Sequence, residues 1–181
     1  MINLSEIKEG ILRAIWEGGN PVTIQEIVGK TGLKTRSVNM YLQNLRRERL
    51  VEASGIGFII TEKGKEAIGF PKIDESRAQE ILRKTLPENA FHFYTEINQP
   101  LSVSADSLMD FCEKIGLVDT RSIEFHTMRG DIESWIHFLG DSELEKRIGL
   151  IREANLAGEV LRQRLYTTLK TRTDELLKKS L

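Results

Sequence analysis

Residues 23–65 read TIQEIVGKTGLKTRSVNMYLQNLRRERLVEASGIGFIITEKGK. Thr23 with Glu26 three positions on is a capping box that opens a helix through Ile24, Ile27 and Val28. Gly32 marks the turn after it, and Thr35 is the expected cap of a further helix from about Arg36 to Glu48. Leu50 to Ala53 and Phe58 to Thr61 read as two strands joined through Ser54–Gly57, with glycine where a positive φ is needed. Thr61 caps another helix, with Gly64 in its first turn. The order is helix, tight turn, helix, two-stranded ribbon, helix.

The helix after the turn carries the chemistry. At about 100° per residue, Val38, Tyr41, Leu42 and Leu45 share one face. Arg36, Met40, Gln43 and Arg47 share the opposite one, flanked by Asn39 and Asn44, with no acid before Glu48. Arg pairs bidentately with guanine, and Asn or Gln with adenine, at base edges in the major groove. Such a helix reads bases mostly from its first half, where Lys34, Thr35, Arg36, Ser37, Asn39 and Met40 lie. Gln43, Asn44, Arg46 and Arg47 are placed for the far edge of the groove or for phosphate. An ordinary solvated helix face also splits into apolar and polar halves; the Arg/Asn/Gln composition favours the base-reading alternative.

Residues 4–70 resemble the winged-helix family of transcription regulators. TRSVNMYLQNLRRERLV is similar to its recognition helix running into the first wing strand, and FIITEKG to the junction that closes the wing. The resemblance implies double-stranded DNA as partner, with Lys34, Thr35, Arg36, Ser37, Asn39, Met40, Gln43, Asn44, Arg46 and Arg47 as the contacting set. One departure stands out: the wing tip Gly55-Ile56-Gly57 is uncharged, which shifts the expected phosphate contacts to Lys30, Lys34 and Arg36. Lys63 and Lys65 read as solvated. A winged helix that docks a protein instead of DNA is the alternative, and the small net charge favours it.

Upstream, Asn3 with Glu6 fits a capping box for a helix carrying Ile7, Ile11, Leu12, Ile15 and Trp16, ended by Gly18-Gly19-Asn20-Pro21; Val22 is a short extended piece. The net charge is −1, but residues 1–70 hold ten Lys and Arg against eight Glu, a net of +2, which leaves −3 for the rest. A mildly basic first part is compatible with phosphate but does not demand it. No apolar run nears the roughly 20 residues of a membrane helix, and the N-terminus MINLSEIKEG lacks the pattern of a signal peptide. Cys112 is the sole cysteine, so no intramolecular disulfide is expected and a reducing cytoplasm suits the chain.

Downstream, Asp74 starts a helical stretch with Ile81, Leu82 and Leu86, stopped by Pro87, that reads as a linker helix within 71–88. Residues 91–97, FHFYTEI, read as a strand, Asn98-Gln99-Pro100 as a turn, and Leu101 to Ser104 as the return strand. SLMDFCEKI is helical, with Leu108, Phe111, Cys112 and Ile115 on one face. Together with SIEFH, RGD-x-x-x-W-I and LGD, it resembles, over residues 90–150, a small α+β domain of archaeal and bacterial proteins with no assigned function. In that run Asp131 is expected to cap a helix with Ile132, Trp135, Ile136 and Leu139 inward, and Asp141 the next, with Leu144 and Ile148. His126 has two readings: a buried histidine satisfied by Asp131 or Trp135, which is favoured, or part of a ligand pocket with Arg129 and Asp131.

From Ser142 on, Gly149 and Gly158 are weak points, and Leu161, Leu165, Leu169, Leu176 and Leu177 form a broad helical stripe that packs on its own domain or on a second copy. His92, His126, His137 and Cys112 lack metal-binding spacing, no phosphate loop or nucleophile–base pair is readable, and no cofactor or catalytic activity is expected. The expected fold is mainly α with small β elements. A winged helix at 1–70 and a linker helix at 71–88 precede a mostly helical α+β domain at 89–181 with a long C-terminal amphipathic helix. The expected role is a cytoplasmic, homodimeric, sequence-specific DNA-binding regulator whose C-terminal domain dimerises or senses a signal. A protein-docking adaptor and a small-molecule sensor stand as alternatives.

Overall fold

The computed structural model describes residues 5–19 and 21–180. They divide into two compact units, Met1–Lys72 and Ile73–Leu181. Each carries one two-stranded antiparallel hairpin among helices, the mainly-α architecture expected from the sequence.

In the first unit α1 (Glu6–Gly18) buries Ile11, Leu12, Ile15 and Trp16, whereas Ile7 in its first turn stays exposed. The expected Asn3 capping box and the Asn20 stop lie outside the described residues. α2 (Ile24–Thr31) has the predicted reciprocal cap. The Glu26 N–H donates to Thr23 Oγ1 at 3.3 Å, and Glu26 Oε2 accepts the Thr23 N–H at 2.7 Å. Gly32, at φ 68°, ends it and turns the chain into α3 (Thr35–Arg47).

Thr35 does not cap α3. It is already helical; extended Lys34 precedes it, and the Lys34 carbonyl accepts from the Ser37 and Val38 N–H groups without side-chain help. At the other end Arg49 adopts φ 60°, a conformation usually left to glycine. Its N–H donates to the Arg46 carbonyl and that of Leu50 to the Leu45 carbonyl, both closing the last turn.

β1 (Val51–Ser54) and β2 (Gly57–Ile60) pair in the register Val51↔Ile60 through Ser54↔Gly57, so Gly55 and Ile56 form a two-residue tip, with Gly55 at φ 55°. Val22 is the short extended piece expected, and bonds β2 on its far side through both backbone groups of Phe58, at 2.8 and 2.9 Å. That close approach explains Gly57, where a Cβ would sit 2.6 Å from the Val22 carbonyl oxygen. α4 (Glu62–Ala67) is capped by Thr61, and Trp16 packs on Phe70 at 4.8 Å between ring centres.

The second unit begins with α5 (Glu75–Leu82), whose Ala78 and Ile81 lie in that unit's core. The segment expected as a linker is therefore structural. It also ends four residues before Leu86, because Arg83 turns extended, and Leu86 is left exposed. β3 (Phe91–Glu96) and β4 (Gln99–Ala105) form a hairpin with shifted register around Tyr94. Phe91 and Phe93 pack on Phe111 of α6 (Leu108–Ile115), and Phe111 on Trp135.

α7 (Thr120–Arg129) ends at Gly130, φ 75°, and α8 (Asp131–Leu139) starts at once. Asp131 is not the expected cap: its carboxylate is drawn to His126 and Arg129 instead. Asp141 does cap α9 (Ser142–Glu153), accepting the Leu144 N–H at 3.0 Å. Gly149 does not interrupt α9; the break falls at Asn155, φ 50°, before α10 (Gly158–Lys179). α10 buries Leu161, Leu165, Leu169 and Leu176 against the core, with Leu177 outside.

Arg172 lies in the same buried stripe, only 2 % exposed. Its Nε and Nη2 hold both Asp141 oxygens at 2.7 and 2.9 Å, and its Nη1 holds Glu143 at 2.9 Å and Glu175 at 3.1 Å. Burial works against its charge, but the carboxylates more than offset that and raise its pKa.

Candidate nucleic-acid interface

α3 is oriented by its apolar face. Val38, Leu42 and Leu45 are buried in the first core, with Tyr41 packed at its edge. The opposite face is thereby turned to solvent. Lys34, Thr35, Arg36, Asn39, Met40, Gln43, Arg46 and Arg47 are exposed, and Ser37 and Asn44 are half-buried beside them. The structure brings all ten expected contact residues onto one helix and its leading residue.

The cations of this unit fall into two groups. Lys8 pairs with Glu48 at 2.5 Å, Arg13 with Glu9 at 2.8 Å and Lys30 with Glu17 at 3.4 Å. Lys65 is not solvated as expected: it is mostly buried and lies 3.2 Å from Glu62. Lys63 is not simply solvated: its Nζ donates to the Glu48 carbonyl at 2.9 Å, holding the end of α3. By contrast, Lys34, Arg36, Arg46 and Arg47 make no side-chain ion pair among the described residues, and neither do Arg49 and Lys72, which lie outside α3. Lys30 is thus weakened as a phosphate anchor, whereas Lys34 and Arg36 keep their charge available.

An Arg or Lys left without a carboxylate partner can exchange solvent and counterions for phosphate. The wing tip brings no charge: it presents Ile56, 88 % exposed. Met40, 52 % exposed, puts an apolar group in the middle of the polar face, where it can meet a thymine methyl.

In the second unit the expected trio His126, Arg129 and Asp131 does come together. His126 is buried, and its Nε2 accepts the Tyr94 N–H at 2.8 Å. Since an N–H can only donate, Nε2 is bare and the ring proton sits on Nδ1, which donates to Asp131 Oδ2 at 2.8 Å. Arg129 Nε donates to the same oxygen at 3.1 Å. Both ring nitrogens are occupied, so His126 positions Asp131 and offers no free atom to a ligand.

Burial pushes the His126 pKa below the ordinary histidine value; the hydrogen bond and charge of Asp131 oppose this, and Arg129 adds to the lowering. The unfolded chain therefore takes up a proton first as pH falls. Above the unfolded value of about 6.5 both states are neutral here and the group contributes nothing. Below it the second unit loses stability until the folded pKa is passed. A thermal melt followed through Trp135 across pH 5–8 should show that decline, and it should be flatter in His126→Gln, which cannot titrate.

The family model described as winged helix-turn-helix matches residues 4–72. No curated protein and no solved structure matches the chain. Among the described residues no helix is long and apolar enough to cross a membrane.

Proposed function

Because residues 4–72 form a winged helix-turn-helix domain, we propose that the chain is a sequence-specific DNA-binding transcription regulator that inserts α3 into the major groove. The observation that supports this most is the sorting of charge. Most other cations of the domain have a carboxylate or carbonyl partner, and those on and beside α3 have none among the described residues. In this reading Arg36, Asn39 and Met40 face bases, and Lys34, Arg46 and Arg47 face phosphate. The active species is a homodimer in the cytoplasm, its two α3 helices about 34 Å apart to meet successive turns of DNA. The second unit dimerises or senses a signal, and the proposal assigns the chain no reaction.

Fluorescence anisotropy with fragments of the source genome, titrated across salt concentrations, tests this. Specific fragments should bind well above random DNA, and affinity should fall as salt rises. Arg47→Ala should weaken binding to every sequence alike. Asn39→Ala should cost about 1–3 kcal/mol at one base pair and little elsewhere. Equal losses on all sequences for both variants would remove the base-reading claim.

A second reading, a protein-docking winged helix, is favoured by the exposed Met40 and Ile56. It would stand if no fragment bound with salt dependence and a captured partner tolerated loss of Arg36 and Arg47.

A further inference from the structure

The β3–β4 hairpin, α7 and α8 enclose an open-sided cavity of about 530 Å³. Its walls are aromatic and apolar, chiefly Phe91, Tyr94, Phe125, Trp135 and Ile97, with Arg129 at the edge. That size and the aromatic surface, with His92, Glu96, Asn98, Arg129, Asp131 and Ser134 as polar groups in the lining, suit a small organic molecule.

Arg129 is held in place without using its outer edge. Its Nε is bonded to Asp131, and its guanidinium carbon lies 5.1 Å above the centre of the Phe125 ring. Asp131 is in turn fixed by His126, and His126 by the backbone of Tyr94. Nη1 and Nη2 have no partner among the described residues, and the Arg129 side chain is half exposed. A guanidinium whose orientation is set beforehand and whose outer nitrogens are open is a fork for a carboxylate.

We propose that the second unit binds a monocarboxylic acid with a flat or hydrocarbon body, its carboxylate on the outer edge of Arg129 and its body against Phe125, Tyr94 and Trp135. The charges nearby select the head group. Asp131 already neutralises much of Arg129, and Glu96, hydrogen-bonded to Gln99 at 3.2 Å, stands at the rim. Those two carboxylates would repel the second charge of a phosphate monoester. An organic cation is disfavoured because Arg129 already covers the Phe125 face. The inference goes beyond DNA binding and is tested without DNA, so either can fail alone.

Isothermal titration of the full chain with 3-phenylpropanoate and octanoate, beside 3-phenylpropanamide, 3-phenylpropylamine and phenyl phosphate, decides it. At least one of the two acids should bind saturably, and tighter than the amide, the amine and the phosphate. Arg129→Gln should weaken it by about tenfold or more, and Arg129→Lys should recover only part, because an ammonium lacks the fork. Glu96→Gln should leave acid binding intact or tighten it. The proposal is overturned if neither acid binds, if the amide, amine or phosphate binds as well as the acids, or if Arg129→Gln leaves the affinity unchanged while the variant keeps the native Trp135 emission.

Discussion

Replacing Arg172 with methionine is expected to destabilise the second unit by about 3–5 kcal/mol, the usual cost of removing one partner from a buried ion cluster. The loss does not come from volume, since methionine fills much of the same path. It comes mainly from Asp141, as buried as Arg172, which keeps its charge and loses both guanidinium bonds, while the buried Glu143 loses one arginine partner and keeps Arg147. Asp141 matters doubly, because it also caps α9, so the change weakens the hold of α10 on the α8–α9 corner. Each unit holds one of the two tryptophans, Trp16 and Trp135, so single-tryptophan versions report the units separately. In denaturant titrations the Trp135 transition should move sharply to lower concentration, and the Trp16 transition should not. Adding Asp141→Asn and Glu143→Gln should recover part of the loss, because asparagine can still cap and neither new group is charged. If Arg172→Met alone proves neutral, the ion cluster does not hold the unit together.

Gly64→Ala should be the most damaging small change in the first unit. A Cβ there would lie 2.1 Å from the Leu50 carbonyl oxygen and 2.7 Å from Ile60 Cγ1. Backbone cannot swing aside as a side-chain tip can, so the cost should reach or exceed the ~1–3 kcal/mol typical of overpacking. The Leu50 carbonyl also accepts the Thr61 N–H, and Leu50 itself closes the end of α3 through Leu45. Displacing it disturbs the exit from α3 and the entry to the wing together. The Trp16 transition should shift while the Trp135 transition stays, and DNA affinity should drop although no contact residue has changed. A Gly64→Ala variant as stable as the parent would mean that the α4–β1 approach is looser than described.

These two positions differ in how far the sequence announces them. The first unit was largely legible because its signals are local: the Thr23–Glu26 box, Gly32 and the period of Val38, Leu42 and Leu45 each act within a few residues. The polar face of α3 follows from that period alone. The expectations fail where residue type and pattern point one way and a competing backbone or side-chain geometry wins. Thr35 and Asp131 are good cap types, but the Lys34 backbone needed no cap, and Asp131 was drawn to His126 and Arg129. Leu86 continues an apolar pattern but falls past the end of α5, which Arg83 sets.

Arg172 lies outside the leucine stripe that the pattern picks out. Its spacing held the signal: 161, 165, 169, 172 and 176 continue a single three- and four-residue rhythm, and an arginine in that rhythm has to bring its counterions inside with it. The bond of Lys63 leaves no local trace at all. Its acceptor, the Glu48 carbonyl, is fifteen residues away and is placed there only by the hairpin between them.

The bond from Tyr94 to His126 has one more consequence. A two-stranded sheet has two open edges, and an open edge is a template on which another chain can add a strand and begin to aggregate. β3 has β4 as its neighbour on one side; on the other lies α7, and the Tyr94 N–H that would have offered itself to a stranger is taken by an imidazole. Opposite Tyr94, β4 carries Pro100, which has no N–H to offer at all. At this pair the hairpin thus offers a recruited strand no free donor on either flank, one N–H being held by a ring nitrogen and the other missing altogether.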